Sequence, residues 1–97
     1  MRKYLKKIVP AFLEQNREAM RERTVSFQGN RLYSYDTLIA VIEKHASGTA
    51  LFINKTKYSM TTSTLQNTLR YFAMFPEDID VVHEMEEDEF NKAVRTL

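Results

Sequence analysis

Residues 37–43 have the sequence TLIAVIE, which is the strongest strand signal in the chain. Successive side chains of a strand point to opposite faces of its sheet. Leu38, Ala40 and Ile42 therefore share one face, and Ile39 and Val41 share the other. Because both sets are apolar, exposing either face to water is unfavourable. We expect that helices cover both faces of this strand, or that a second subunit covers one of them.

Further strand signals lie on both sides of this run, as apolar–polar alternation or short apolar stretches next to turn residues. Polar residues 44–48 predict a loop, after which residues 50–54 return as the second strand of a hairpin. The remaining signals are residues 24–28 and 31–34, joined by a turn at Gly29-Asn30, and a short edge strand at Ile79, Val81 and Val82.

The N-terminal segment, residues 2–23, has the apolar spacing of an amphipathic helix. Pro10 has no amide hydrogen and crowds the preceding turn, but it suits the first position of a helix. We therefore expect a short basic turn, a break near Val9, and a helix from Pro10 to about Arg23.

A central helix is expected after the hairpin. It extends from about Thr64 to Met74 and ends before Pro76. Ser63 and Gln66 have the spacing of a capping box, in which the two side chains satisfy free amides at the helix start.

The C-terminal residues predict a last helix over about residues 85–97, whose acidic first turn suits the positive end of the helix dipole. Together these elements predict one α+β domain. It has a three- or four-stranded antiparallel sheet with an N-terminal helix, a central helix after the hairpin and a C-terminal helix. A chain of 97 residues has room for one domain. We divide it into a basic amphipathic helix (1–23), a sheet plus helix (24–75) and an acidic C-terminal helix (76–97).

Charge is distributed unevenly along the chain, although the formal net charge is only +1. Residues 1–23 carry seven basic and three acidic side chains, a net charge of +4. Residues 24–75 carry five and two, a net +3, and residues 76–97 carry two and eight, a net −6. The small net charge therefore hides a strong separation of positive and negative charge along the chain.

The residue types that support catalysis are scarce. There is no cysteine, which excludes disulfides, thiolate zinc sites and cysteine nucleophiles. The chain has no nucleophile elbow, phosphate loop or HExxH motif, and His45 and His83 have no sequence link. We expect no enzymatic activity, no cofactor and no metal site. No stretch has the pattern of a signal peptide or a membrane span, so we expect a cytoplasmic protein without membrane association.

Two stretches form a signature when taken together: LYSYDTLIA at 32–40 and YSMTTSTLQN at 58–67. They resemble a family of small, largely uncharacterised proteins encoded by bacteriophages and their bacterial hosts. Its members show L-x-S-Y-x-T-x-I/V-A, then a strand hairpin, then Y/W-S-x-T-T-S-x-H-x-N leading into a helix. The matching residues are Leu32, Ser34, Tyr35, Thr37, Ile39, Ala40, Tyr58, Ser59, Thr61, Thr62, Ser63 and Asn67.

This resemblance covers roughly residues 31–72, and the family's histidine position is Leu65 here. Any function of that histidine is therefore missing from this chain. The resemblance implies a phage or prophage origin and a small unit of hairpin plus helix, and it implies no established activity.

The hydroxyl cluster at residues 59–64 lies where a helix should begin, shortly after Lys55 and Lys57. A helix start with free amides suits an anion, so phosphate binding is one interpretation. The other is that these side chains cap the helix, as Ser and Thr often do.

Our first functional hypothesis is a non-enzymatic phage accessory protein that binds a host or phage protein and inhibits a host defence or housekeeping system. Exposed aromatic residues or an acidic face would make the contact, because aromatic side chains are enriched in interfaces and charge complementarity sets specificity. The competing interpretations are a core helix buried on two sides and an ordinary acidic helix start. The candidate residues are Tyr33, Tyr35, Tyr71, Phe75, Glu86 and Glu87.

The alternative hypothesis is a small nucleic-acid-binding module, because phosphate contacts need only positive charge at the right place. Its candidate residues are Lys3, Lys6, Lys7, Lys55 and Lys57, with Arg2, Arg17, Arg21 and Arg23 in the same basic segment. The competing interpretations are a solvated helix face and an internal counter-charge to the acidic tail. A homodimer, whose second subunit covers an open sheet face, is a third hypothesis.

Overall fold

The computed structural model describes residues 2–74 and 79–97. Its elements follow the order αβββββαβα, and their bounds are α1 (Lys3–Glu14), β1 (Ala19–Glu22), β2 (Val25–Gln28), β3 (Arg31–Ser34), β4 (Thr37–His45), β5 (Gly48–Asn54), α2 (Met60–Ala73), β6 (Val81–Met85) and α3 (Glu87–Arg95).

The described strands form one mixed sheet in the order of the sequence. Strands β1 to β5 are antiparallel neighbours, whereas β6 is parallel to β5. The α+β class and the three predicted helices are confirmed. The prediction of three or four antiparallel strands is wrong, since the sheet has six strands. Helix α2 carries the chain back along the sheet before β6, and such a crossover connection produces a parallel pair.

The largest correction concerns the N-terminal helix. It begins at Lys3, passes through Pro10 without the predicted break, and ends at Glu14 instead of Arg23. Gln15 ends it in a left-handed conformation, and its amide side chain donates hydrogen bonds to the carbonyls of Phe12 and Gly29, both at 2.9 Å. A proline inside a helix costs about 3 kcal/mol, which burial of the apolar face of α1 offsets.

The segment after α1 forms a strand although its spacing also fits a helix. Ala19–Glu22 is β1 and pairs with β2 over four residue positions. Met20 contacts the apolar core, and the predicted helix would also have placed it on the apolar face. The residue spacing did not distinguish the two structures, and the available partner strand decided between them.

The main core lies between one face of the sheet and helices α1 and α2. Its members include Phe12 of α1, Leu65 and Leu69 of α2, and Phe27 of β2. A β-bulge in β4 brings a further side chain into this core: Leu32 pairs with Ala40 and Tyr33 with Leu38, so the intervening Ile39 is an extra residue.

Helix α3 covers the opposite face of the sheet over part of its width. Phe90 and Val94 are buried against Val41 of β4, with Leu38, Phe52 and Met85 around them. Both faces of β4 are thus covered by helices of the same chain, as the first of our two alternatives predicted. The homodimer stays a prediction.

Helix α2 begins earlier than expected. Ser59 is its N-cap, and its hydroxyl accepts a hydrogen bond from the amide of Thr62 at 3.2 Å. The predicted capping box is wrong, because Ser63 lies within the helix. The side chain of Gln66 is buried instead and donates to the carbonyls of Asn54 at 2.6 Å and Thr56 at 3.0 Å.

The last two elements also shift. Met85, the predicted first residue of the C-terminal helix, ends β6, and α3 begins at Glu87. The predicted edge strand is confirmed.

Among the described residues, the face of β1–β3 opposite α1 has no helix over it. Its side chains follow from the strand register, since residues paired across strands share a face. They are Ala19, Arg21, Ser26, Gln28, Arg31 and Tyr33, and we call this surface the open face. None of the described helices has the length and apolar character needed to cross a bilayer.

Candidate nucleic-acid interface

The starts of all three helices lie at one end of the sheet, which we call the helix-start end. The ring of Tyr4 in α1 lies 5.4 Å from the guanidinium carbon of Arg23 in the β1–β2 turn. Thr62 in the first turn of α2 is hydrogen-bonded to Ser34, the last residue of β3, at 2.9 Å. The hydroxyl of Thr56, just after β5, accepts the first amide of α3 at 2.7 Å. Strands β1, β3 and β5 all finish at this end.

A cleft of about 500 Å³ opens at this end between α1 and the β1–β2 turn. Four of its six lining side chains are cationic, and they come from both elements. The described residues that line it are Arg2, Lys3, Tyr4, Lys7, Glu22 and Arg23. We call it the basic cleft.

The charges of the basic cleft are poorly compensated. Among the described residues that line it, only Glu22 carries a carboxylate, which lies 3.6 Å from the ammonium of the exposed Lys7. Arg2 and Lys3 form no ion pair with any described residue, and Arg23 only faces the ring of Tyr4. Cations held together without partners repel one another, so this cleft favours an anion from outside.

The start of α1 adds to this preference. No side chain caps it, and its first turn contains no acidic residue. The first amides of a helix have no partner within the helix, and the helix dipole places partial positive charge there. Lys3 and its neighbours are therefore unfavourable for helix stability.

Lys55 and Lys57 also lie at the helix-start end, in the connection between β5 and α2. Both are exposed, and Lys57 lines a second cleft of about 370 Å³ with Tyr58, Ser59, Met60 and Ser63. Glu86 and Glu87 lie beside this connection, so its electrostatic potential is less positive than that of the basic cleft. Lys6 is exposed on α1 but does not line the basic cleft.

The hydroxyl cluster mainly serves the fold. Ser59 caps α2, and the hydroxyl of Thr62 contacts those of both Ser34 and Ser59. The two halves of the phage-like signature therefore meet, because Ser34 belongs to the first and Thr62 to the second. Capping, the structural alternative for this cluster, is observed.

Glu86 and Glu87 at the start of α3 hold the β5–α2 connection. Thr56 donates its hydroxyl to Glu86 at 2.7 Å, and the hydroxyl of Tyr58 donates to Glu87 at 2.6 Å. The same tyrosine oxygen accepts a hydrogen bond from Asn54 at 2.8 Å. Burial, followed by the hydrogen bond to the carboxylate of Glu87, raises the pKa of Tyr58.

The aromatic candidates do not form one patch. Tyr33 lies on the open face, whereas Tyr71 lies on α2, on the other side of the sheet. Tyr35 is in the β3–β4 turn at the helix-start end and is 59% exposed. Phe75 lies outside the described residues.

In the described ranges, no ion pair neutralises the charges of the basic N-terminal segment with those of the acidic C-terminal segment. Helices α1 and α3 lie on opposite faces of the sheet. Within residues 2–74 and 79–97, no ion pair joins residues 2–23 to residues 79–97. The described ion pairs are Lys7–Glu22, His45–Glu43 and Arg70–Glu84. The interpretation as an internal counter-charge therefore finds no support here.

The two histidines are far apart and in different settings. His45 lies 3.0 Å from the carboxylate of Glu43, and His83 stacks on Phe52 with ring centroids 4.9 Å apart. By strand register they are separated by about four residues along the sheet, or roughly 13 Å. The described part of the chain contains no group of three or more His, Asp or Glu side chains suited to a metal ion.

The sequence pointed to the basic segment but not to its geometry. Tyr4 was not among the candidates, and Arg23 was expected at the end of a helix far from Lys3. The turn after β1 returns Arg23 to the start of α1. The available signal was that residues 19–28 can also form a strand–turn–strand unit, which would place the basic residue Arg23 in its turn.

Comparison of this chain with known protein families, curated proteins and solved structures finds no significant match. The phage-like signature therefore stays a prediction.

Proposed function

We propose that this chain is a non-enzymatic accessory protein of a phage or prophage that acts in the host cytoplasm by binding another macromolecule. Its partner is a nucleic acid, held by its phosphates at the basic cleft. The resemblance supports the origin, and the cleft carries the binding function.

The basic cleft fits a phosphate backbone in charge and in chemistry. Arg2 and Arg23 offer planar forks of donors that match phosphate oxygens, and Lys3 and Lys7 add compact charges. The acidic start of α3 is on the other face, so a polyanion is repelled there and attracted to the cleft. This separation orients the protein on its ligand.

The test is a salt titration of binding to a mixed-sequence DNA. The logarithm of the binding constant should fall linearly with the logarithm of salt concentration between about 50 and 200 mM. Changing Arg2 and Lys3 together to Glu should reduce the slope by roughly 1.4–1.8, because two phosphate contacts are lost. Affinity should fall at least about tenfold at low salt.

The matched control changes Lys44 and Lys92 to Glu. Both side chains are exposed and unpaired among the described residues, and the change in net charge is the same. Lys44 is near the opposite end of the sheet, because β4 runs away from the helix-start end. Equal losses in the two double variants, or no binding by the wild type at low salt, would reject the proposal.

A second candidate is the binding of a host or phage protein, with inhibition of a host system as the outcome. The observation that favours it is the fixed start of α3, where hydrogen bonds hold Glu86 and Glu87 and leave Asp88 and Glu89 exposed. Such a surface suits a basic partner. Tyr33, Tyr35 and Tyr71 supply exposed or half-exposed aromatic area.

Recovery of a partner from host lysate tests this candidate. A protein bound by the wild type should be lost when Asp88 and Glu89 are changed to Lys, and retained when Arg2 and Lys3 are changed to Glu. The reverse pattern would assign the bound protein to the basic cleft, and would count against an acidic contact.

A further inference from the structure

We propose that the nucleic acid bound at the helix-start end is single-stranded, and that one of its unpaired bases stacks on the ring of Tyr35. This inference depends on the proposed function, since it names the form of nucleic acid that the same end of the molecule recognises.

The side chain of Tyr35 forms no polar or ring contact that stabilises the described part of the fold. Its side chain is 59% exposed, and it forms no hydrogen bond or ring contact with any described residue. Only its backbone is held, by an amide hydrogen bond to the carbonyl of Thr24 at 2.6 Å. An exposed, unpartnered aromatic ring is what base stacking requires.

The backbone conformation of Tyr35 is unfavourable for an aromatic residue. Its φ angle is 56°, in the left-handed region, where Gly, Asn and Asp are tolerated better than a bulky aromatic residue. Stability therefore does not explain a tyrosine at this position. A binding role for the ring does, since strained residues that persist are frequently functional.

The position of Tyr35 joins it to the basic cleft. Its hydrogen-bond partner Thr24 directly follows Arg23, which lines the cleft. On the other side, Ser34 is hydrogen-bonded to the start of α2, the helix that follows Lys55 and Lys57. The turn of Tyr35 thus lies between Arg23 and the connection that carries Lys55 and Lys57. The acidic Asp36 is next to it in sequence, and Glu86 and Glu87 lie beside that connection.

This arrangement suits a single strand better than a duplex. In a single strand the bases are free to stack on aromatic side chains while the phosphates contact nearby cations. In a duplex the bases are already stacked and paired, so an exposed ring at the level of the phosphates gains no stacking partner. The open face next to this end extends the same chemistry: it carries Arg21, Arg31 and Tyr33 and contains no carboxylate on β1–β3.

The test compares an oligothymidylate of about 16 nucleotides with a duplex of the same length, at matched salt. The wild type should bind the single strand at least about tenfold more tightly. Tyr35→Asn should weaken single-strand binding by roughly five- to hundredfold and leave duplex binding unchanged. Tyr35→Phe keeps the ring and should bind within about twofold of the wild type.

Thermal unfolding separates this role from a structural one. Because Asn tolerates the left-handed region, Tyr35→Asn should melt at the wild-type temperature or a few degrees higher. Equal binding of single strand and duplex, or unchanged single-strand binding by Tyr35→Asn, overturns the inference while the salt and cleft results still support the proposed function. No binding to either probe at low salt overturns both.

Discussion

The two halves of the sheet differ in what covers them. Strands β4 and β5 have helical side chains packed on both faces, the core of α1 and α2 on one side and α3 on the other, and four consecutive residues of β4, residues 39–42, are buried. Strand β6, at the edge of the sheet, is mostly exposed. In the part of the chain that the structure describes, strands β1 to β3 have a helix on one face only, and the residues of β2 and β3 alternate between buried and accessible. The half of the sheet with β4 and β5, which we call the covered half, has apolar side chains on both faces and is packed from both sides. The half with β1 to β3, which we call the open half, borders the basic cleft.

This comparison separates stability from binding within one small domain. The core of the covered half fixes the positions of the turns and helix starts. The side chains that we assign to binding lie at those turns and helix starts or on the open face, where substitutions of exposed residues cost little stability. Mutations in the two halves should therefore have different effects.

The largest expected effect is in the covered half. Phe90→Ala should lower the free energy of unfolding by about 3–5 kcal/mol, because the ring of Phe90 is completely buried against the sheet. Tyr33→Ala on the open face should cost less than about 1.5 kcal/mol. Denaturant unfolding measures both changes. If Phe90→Ala does not fold, Phe90→Leu should still show a loss of about 1 kcal/mol. Similar costs for Phe90→Ala and Tyr33→Ala would remove the distinction between the halves.

The hairpin glycines provide a second, smaller test. Gly48, between β4 and β5, has a φ of 145°, and a Cβ there would lie 2.6 Å from a carboxylate oxygen of Asp80. That carboxylate also accepts the amide of Thr49 at 2.7 Å, which restricts its movement. Gly48→Ala should therefore cost about 2–3 kcal/mol in free energy of unfolding.

The matched control is Gly29, in the hairpin of the open half. Its φ is 57°, and a Cβ would meet no atom within 4 Å. Gly29→Ala should cost about 1 kcal/mol, from the left-handed conformation alone. Melting temperatures of the two variants give the comparison, and an equal or larger loss for Gly29→Ala would show that the contact with Asp80 is unimportant.

The smallest effect concerns Tyr58, which ties β5 and α2 to the start of α3. Tyr58→Phe removes the hydrogen bonds to Asn54 and Glu87 and should cost about 1 kcal/mol at neutral pH. The folded state raises the pKa of Tyr58 above its ordinary value of 10.0. The unfolded chain therefore loses this proton first as the pH rises, and stability contributed by Tyr58 is constant below pH 10 and declines above it.

Unfolding measured at about pH 9 and about pH 11 checks this sign. The wild type should lose more stability between these values than Tyr58→Phe, because the variant has no hydroxyl to titrate at this position. An equal decline in both proteins would show that the hydrogen bond to Glu87 does not favour the neutral form of Tyr58.

Several features of the fold could be predicted from local sequence. Gly29-Asn30 gave the β2–β3 turn, and the acidic residues 87–89 gave the first turn of α3. The start of α2 could not be placed this way, because Ser59 and Ser63 are both acceptable caps. In the structure, Ser59 is the cap. The buried side chain of Gln66 donates hydrogen bonds to the carbonyls of Asn54 and Thr56, so it does not complete the predicted capping box with Ser63.

The candidate site shows the same limit. The excess of basic residues in 1–23 is visible in the sequence, but the convergence of Arg2, Lys3, Lys7 and Arg23 depends on β1 and its turn. That segment satisfies a helical and a strand pattern about equally well, because its few apolar residues fit both. Strand pairing involves residues distant in sequence, and a residue's neighbours along the chain do not contain that information.

By itself, the sequence determined that the central strand must be covered on both faces, since five consecutive apolar residues, 38–42, leave no face suited to water. It also determined that positive and negative charge lie in different segments. Only the tertiary structure decided which elements cover the strand, that helices α1 and α3 lie on opposite faces of the sheet, and that Arg2, Lys3, Lys7 and Arg23 line one cleft. The reason is physical: hydrophobicity and charge are properties of residues, whereas proximity depends on how the whole chain packs.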